Sequence, residues 1–154
     1  MAVETVATNR RARHEYHIND RIEAGIRLTG PEVKSVRAHS VSLAEAYATV
    51  EDGEAWIHGM HIGRYNAGGY AHQNPTRRRK LLLHKREIRR LERDVQQKGI
   101  TLIPLRMYFG PSGYAKIELG VCTGKTQYDK RRAIKARDEK RREDQAVADH
   151  FRDR

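Results

Sequence analysis

The chain has 154 residues, room for one domain of ordinary size, and its 31 Lys and Arg against 20 Asp and Glu give a formal charge of +11. Such an excess argues for a polyanionic partner. Hydrophobic residues make up 38% of the chain, enough for one core but thin for its whole length, and the single cysteine, Cys122, excludes an intramolecular disulfide scaffold.

At the N-terminus, MAVETVATNRRARHEYH contains no apolar signal region, and no later stretch approaches the roughly 18 apolar residues of a membrane span, so a cytoplasmic protein without membrane contact is expected. From Tyr16 to Leu28 the even positions, Asp20 excepted, are apolar and the odd ones largely charged or polar, the period-two pattern of a half-buried strand. Gly30 and Pro31 end it. Pro suits the start of a helix, predicted over Pro31 to His39 with Val33 and Val36 inward and Lys34 and Arg37 directed elsewhere.

Ala46 to Glu51 and Glu54 to Ile62 flank Asp52-Gly53, a dipeptide that supplies the positive φ angles of a tight hairpin. A helix is predicted from Leu81 to Lys98 with Gly99 as its C-terminal cap: Leu81, Ile88, Leu91 and Val95 share one arc, Arg86, Arg89, Arg90 and Arg93 the opposite one. Thr101 to Phe109 and Tyr114 to Cys122 flank Gly110-Pro111-Ser112-Gly113 as a second hairpin. Five antiparallel strands with a helix between the third and fourth predict a mainly β domain with added helices, a small closed antiparallel barrel of the oligonucleotide-binding type.

The domain is expected to end at residue 124, and residues 125–154 to form a flexible basic tail. Thirteen of the sixteen residues from 129 to 144 are charged and Ile134 is the only sizeable aliphatic, too little to bury and fold alone, yet Ala, Lys, Arg and Glu favour helix. Disorder in solution and helix formation against an anionic surface is the resulting expectation.

For chemistry, the eight histidines include His58 and His61, but residues three apart on a strand face opposite ways and no Cys or carboxylate cluster completes a ligand set, so no metal and no cofactor is expected. Gly120 to Gly124, followed by Lys125-Thr126, has one residue too few between its glycines for a phosphate-binding loop. No isolated pair of acidic residues suggests acid–base catalysis, and a non-enzymatic protein is expected. Arg77-Arg78-Arg79-Lys80, the arginine face of the helix and Lys125, Lys130, Arg131 and Arg132 are three basic groups of one sign; Tyr65, Tyr70, Tyr108, Tyr114 and Tyr128 are candidate stacking platforms, with Trp56 and Phe109 assigned to the core. The pattern predicts nucleic-acid binding.

Ala24-Gly25-Ile26, Gly30 to Arg37 (GPEVKSVR), His61-Ile62, Arg79 to His84 (RKLLLH), Ile103-Pro104-Leu105, and Gly124-Lys125 with Asp129-Lys130-Arg131 resemble, in order, the small protein B family of bacterial SsrA-binding proteins. The resemblance runs from about Asn9 to Asp138. It implies an oligonucleotide-binding barrel that binds the tRNA-like domain of transfer-messenger RNA and delivers it to stalled ribosomes for trans-translation. Protein and RNA together would imitate a tRNA, the protein standing in for the anticodon arm. On this resemblance Glu32, Lys34, Ser35 and Arg37 belong to the RNA-binding region with Arg79, Lys80 and His84; Glu32 would accept from a base amine or ribose hydroxyl, orient Lys34 or Arg37, or cap the helix. Gly124, Lys125, Tyr128, Asp129, Lys130 and Arg131 match the start of the tail, whose implied targets are the decoding centre and mRNA channel of the small ribosomal subunit. The segment His72-Gln73-Asn74-Pro75 has one residue more than the family pattern, leaving the placement of His72 open. A monomer is expected, and the alternative reading is a general ribosomal or translation protein with a basic extension.

Overall fold

The computed structural model describes residues 3–64, 74–125, 135 and 137–145. The chain divides into two compact units, Met1–Gly124 and Lys125–Arg154. In the second, residues 137–145 are helical and exposed, in keeping with a sequence of good helix formers.

The first unit contains nine strands and three helices among its described residues: β1 (Glu4–Thr8), α1 (Arg10–Glu15), β2 (Tyr16–Ile26), α2 (Gly30–Arg37), β3 (Val41–Ser42), β4 (Tyr47–Glu51), β5 (Glu54–His58), β6 (His61–Ile62), β7 (Arg79–Leu82), α3 (Lys85–Gln96), β8 (Ile100–Phe109) and β9 (Ala115–Gly124). It is mainly antiparallel β. The main sheet runs β1-β8-β4-β5-β7-β2-β9, and β9 pairs again with β8, so the hydrogen-bonded pairings from β8 return to β8. β3 and β6 form a separate pair.

Alternation in β2 is real, with Ala24 and Ile26 buried and Arg21, Glu23 and Arg27 exposed. Asp20 breaks the apolar pattern where the register against β9 shifts between Ile18 and Asp20. A second irregularity, between Pro104 and Arg106 of β8, puts Met107 into the core while Ile103 and Leu105 pack with Ala12 and Cys122 beneath α1. Asn9 secures it: its backbone N–H donates to Leu105 O at 2.7 Å, its Nδ2 donates to Pro104 O at 2.9 Å and Leu43 O at 3.2 Å, and its Oδ1 caps α1 at Ala12 N.

Several sequence expectations need correction. Neither β1 nor α1 was predicted. The strand expected to continue from Glu54 to Ile62 stops at His58, because Gly59 adopts φ +70° and carries the chain over Glu45. Leu81 belongs to β7, not to the helix: it pairs with Ile26 of β2 and Ala55 of β5. Helix α3 therefore begins after the N-cap His84 and ends before Gln97, with Gly99 (φ +85°) in the turn into β8 rather than at the cap. Its faces separate as expected, with Ile88 and Leu91 buried and Arg86, Arg89, Arg90 and Arg93 exposed. Each buried aliphatic of this kind contributes about 1.5–3 kcal/mol.

Candidate nucleic-acid interface

Local sequence builds the site outward from α2. Thr29 and Glu32 form a reciprocal capping box, Glu32 N donating to Thr29 Oγ1 at 3.4 Å and Thr29 N to Glu32 Oε1 at 2.9 Å, with Pro31 in the first turn. The chain then leaves α2 through His39 (φ 60°), and Ser40 is tied to both sides: its N–H donates to Ser35 O and its carbonyl accepts from Gly63 N at 2.8 Å. A Cβ on Gly63 would lie 2.0 Å from Ser40 Oγ, so a larger residue there requires the Ser40 hydroxyl to turn aside.

Beneath α2 lies an ionic cluster. The Glu32 side chain is 8% exposed and accepts from Arg77 through both Nε (3.1 Å) and Nη2, and from Arg79 Nε at 2.5 Å. Arg79, with a side chain 0% exposed, also donates to Met60 O at 2.8 Å and Pro75 O at 3.0 Å. Burial alone would raise the Glu32 carboxyl, but the Arg77, Thr29 and Arg79 hydrogen bonds outweigh it and hold the group below the usual carboxylate range. Burial lowers the Arg79 pKa against the opposing pull of Glu32, yet a guanidinium stays charged in a protein.

The basic run after this cluster is far less naked than its letters suggest. Arg78 pairs with Glu51 at 3.1 Å and lies over the Trp56 ring, 4.2 Å from its centroid; Lys80 pairs with Glu54 at 2.8 Å. With Glu32 included, residues 77–80 set four cations against three carboxylates, a local sum of +1. The partly exposed pairs are each worth only about 0–1 kcal/mol, so Arg78 and Lys80 can leave Glu51 and Glu54 at little cost. Arg79 has no such freedom.

The seven residues singled out in this region thus separate by depth. Lys34, Arg37 and His84 are exposed and Lys80 is half-buried; Glu32, Ser35 and Arg79 lie under the surface, where Glu32 caps α2. His84 serves as the N-cap of α3, its N–H donating to Glu87 Oε1 at 3.0 Å. Of the tail residues, Gly124 ends β9 exposed and Lys125 follows it half-buried, while Tyr128, Asp129, Lys130 and Arg131 lie outside the described residues, as do Tyr65, Tyr70 and His72.

Aromatic expectations divide too. Tyr114 is 73% exposed, a usable platform. Tyr108 is buried, its hydroxyl donating to Glu23 and its ring beneath Arg106 at 4.5 Å; burial and Glu23 push its pKa up to about 12. Trp56, expected in the core, is half-buried under Arg78. Tyr47, which the sequence did not flag, is 47% exposed and stacks on His58 with centroids 5.1 Å apart. Also unflagged is the polar network Glu23, Tyr108, Arg106, Glu118 and Arg21 across β2, β8 and β9, where Arg106 and Arg21 both donate to Glu118 and ease its position directly opposite Glu23. The charged odd positions of β2 were its only trace in the sequence.

Cys122 is buried and its thiol pushed up to about 11, the state of an inert packing residue. No group of three or more metal-ligating side chains occurs among the described residues, nor any helix long and apolar enough to cross a membrane.

The chain is similar to known proteins over nearly its whole length. The family profile described as SmpB protein matches residues 6–149. An SsrA-binding protein of Limosilactobacillus reuteri is 53% identical over 146 residues, covering 95% of this chain and 92% of the relative. One from Acetivibrio thermocellus is 52% identical over 147 residues, covering 96% and 95%. Among solved structures, a chain from "tmRNA-SmpB: a journey to the center of the bacterial ribosome" matches with a TM-score of 0.67 at 49% identity, over 83% of this chain and 93% of that one.

Proposed function

This chain belongs to the SmpB family, and from that premise we propose that it binds transfer-messenger RNA and delivers it to ribosomes for trans-translation, as an RNA-binding protein and not an enzyme. The observation that carries this reading is about 50% identity to SsrA-binding proteins over nearly the whole length of both chains. The circuit of pairings from β8 through β4, β5, β7, β2 and β9 supports a closed barrel of the oligonucleotide-binding type as the RNA platform.

On that platform the bound partner is the tRNA-like domain. Lys34, Arg37, Lys80 and His84 are its contacting side chains, Arg77 and Arg78 flank them, and Glu32, Ser35 and Arg79 act from below. Glu32 is a positioning residue: one carboxylate caps α2 and orients Arg77 at the same time. Cations that exchange a surface carboxylate for phosphate give salt-sensitive affinity, log K falling by roughly 0.7 per log unit of salt for each phosphate held on a single strand. The resulting complex imitates a tRNA, with this chain in place of the anticodon arm.

Gly124, Lys125, Tyr128, Asp129, Lys130 and Arg131 open a tail that reads the decoding centre and empty mRNA channel of the small subunit. The tail's charge keeps it soluble when free, and its helix formers permit an ordered bound state. The site of action is the cytoplasmic ribosome, and nothing observed favours a general ribosomal protein instead.

A reconstituted translation reaction on a message lacking a stop codon tests the proposal. Purified chain added with transfer-messenger RNA is expected to yield nascent chains extended by the RNA-encoded peptide; no extension above the protein-free reaction would refute it.

A further inference from the structure

Outside the α2–β7 surface, the exposed side of α3 carries a row of arginines. Arg86, Arg89 and Arg93 stand at i, i+3 and i+7 on one face, so their Cα atoms span about 10 Å along the helix. Among the described residues Arg86 and Arg93 have no ion-pair partner, and the only side-chain hydrogen bond of Arg89 is Nε to its own helix, at Lys85 O and 3.5 Å. Arg90, beside them, is different: Asp20 of β2 holds it. Glu92 and Gln96 share the shallow depression that the three free arginines line, so the local sum is three cations against one carboxylate.

That arrangement has no structural purpose within the fold. The opposite face of α3 already anchors the helix through Ile88 and Leu91, and an uncompensated row of guanidiniums repels itself. Guanidinium groups in a row match phosphates in a row, because each presents a planar fork of donors to an oxyanion.

We infer that Arg86, Arg89 and Arg93 form a second phosphate-binding surface, which holds the backbone of the same RNA that occupies the α2–β7 surface. Chain continuity supports a single RNA: β7 carries Arg79 and Lys80, spans roughly 13 Å at about 3.3 Å per residue, and is followed after only Leu83 and His84 by the first turn of α3. One RNA arm is long enough to lie across both. The surface reads no bases, since charge alone is on offer, and it adds affinity without sequence preference. The inference rests on the transfer-messenger RNA reading given above.

Its test is the salt dependence of binding, measured with the full-length chain and full-length transfer-messenger RNA between 50 and 200 mM KCl. The triple variant Arg86→Gln, Arg89→Gln, Arg93→Gln should keep the wild-type melting temperature, since all three are exposed and Gln is a good helix former. Its log K against log salt line should be shallower by about 2, at roughly 0.7 per phosphate, so that the affinity gap to wild type narrows about 20-fold across the range. The Arg→Lys triple, which keeps the charge, should retain the wild-type slope. An unchanged slope for the Gln triple overturns the inference, and so does a loss confined to binding of small ribosomal subunits without transfer-messenger RNA. A wild-type chain that binds tRNA and transfer-messenger RNA equally would instead refute the function proposed above, while a shallower Gln-triple slope on either RNA would still support the arginine face.

Discussion

Replacing Glu32 by Gln is the most searching perturbation of the site. The amide preserves an acceptor for Thr29 N–H and for one guanidinium N–H, so shape and capping survive; what disappears is the charge. Arg79 then remains cationic with no exposed side-chain surface and only the Met60 and Pro75 carbonyls as partners. Breaking a buried ion pair from one side costs about 3–5 kcal/mol, and the lower end applies here because Arg77 is open to water and those carbonyls persist. At about 2–4 °C per kcal/mol for a domain of this size, the melting temperature should fall by roughly 6–12 °C. Thermal unfolding followed by circular dichroism measures this directly. The double variant Glu32→Gln, Arg79→Met removes the stranded charge and should recover part of the loss, so the two substitutions couple. A single variant within about 2 °C of wild type, or a double variant whose loss equals the sum of the singles, would refute the account of Glu32 as the anchor of this surface.

Other consequences are equally open to measurement. Because the folded pKa of Glu32 is depressed, its contribution to stability is full above the unfolded carboxylate pKa and is lost as pH falls through the folded value. The melting-temperature gap between wild type and Glu32→Gln should therefore close in acid, below about pH 4, and a gap constant from pH 7 to pH 3 would contradict the assignment. Asn9→Ala removes the α1 cap and strands the Pro104 and Leu43 carbonyls, so denaturant unfolding should show a loss of about 2–4 kcal/mol. Gly59→Ala places a Cβ 2.6 Å from Glu45 O at a φ of +70°, which should cost about 2 kcal/mol or more in the same assay. Truncation after Gly124 should leave affinity for transfer-messenger RNA within a few-fold of the full chain while abolishing tagging of stalled nascent chains; equal loss of both would contradict the division of labour between body and tail.

What the sequence disclosed depended on how local the cause was. Strand β2 was legible because Ala24 and Ile26 alternate with charged residues, and the Asp52-Gly53 turn because its positive φ angles are chemically encoded at two adjacent positions. Helix α3 announced its two faces, but Leu81 was assigned to it on periodicity when pairing with Ile26 and Ala55 decides the matter, a contact made to residues far off in the chain. The short α1 carried one usable signal, Asn9 ahead of six helical residues, and β1 almost none, since its pairing with β8 supplies what its own composition lacks.

At the site, the same limit applies more sharply. Lys34 and Arg37 were read correctly as facing away from the core, and family resemblance drew attention to Glu32 and Arg79. Nothing local shows that these two meet across 47 positions, or that Glu51 and Glu54 neutralise Arg78 and Lys80. A basic run in a sequence records charges, not their partners. On α3 the arginine face was legible from periodicity, but the pairing of Arg90 with Asp20, 70 positions away, was not.

The central claim is that this surface selects one RNA and is not merely basic. Competition binding of the purified chain to transfer-messenger RNA against excess tRNA at near-physiological salt tests it most directly, because non-specific attraction is then largely screened. The account predicts that transfer-messenger RNA is retained at a large excess of tRNA. Displacement in simple proportion to tRNA concentration would contradict it.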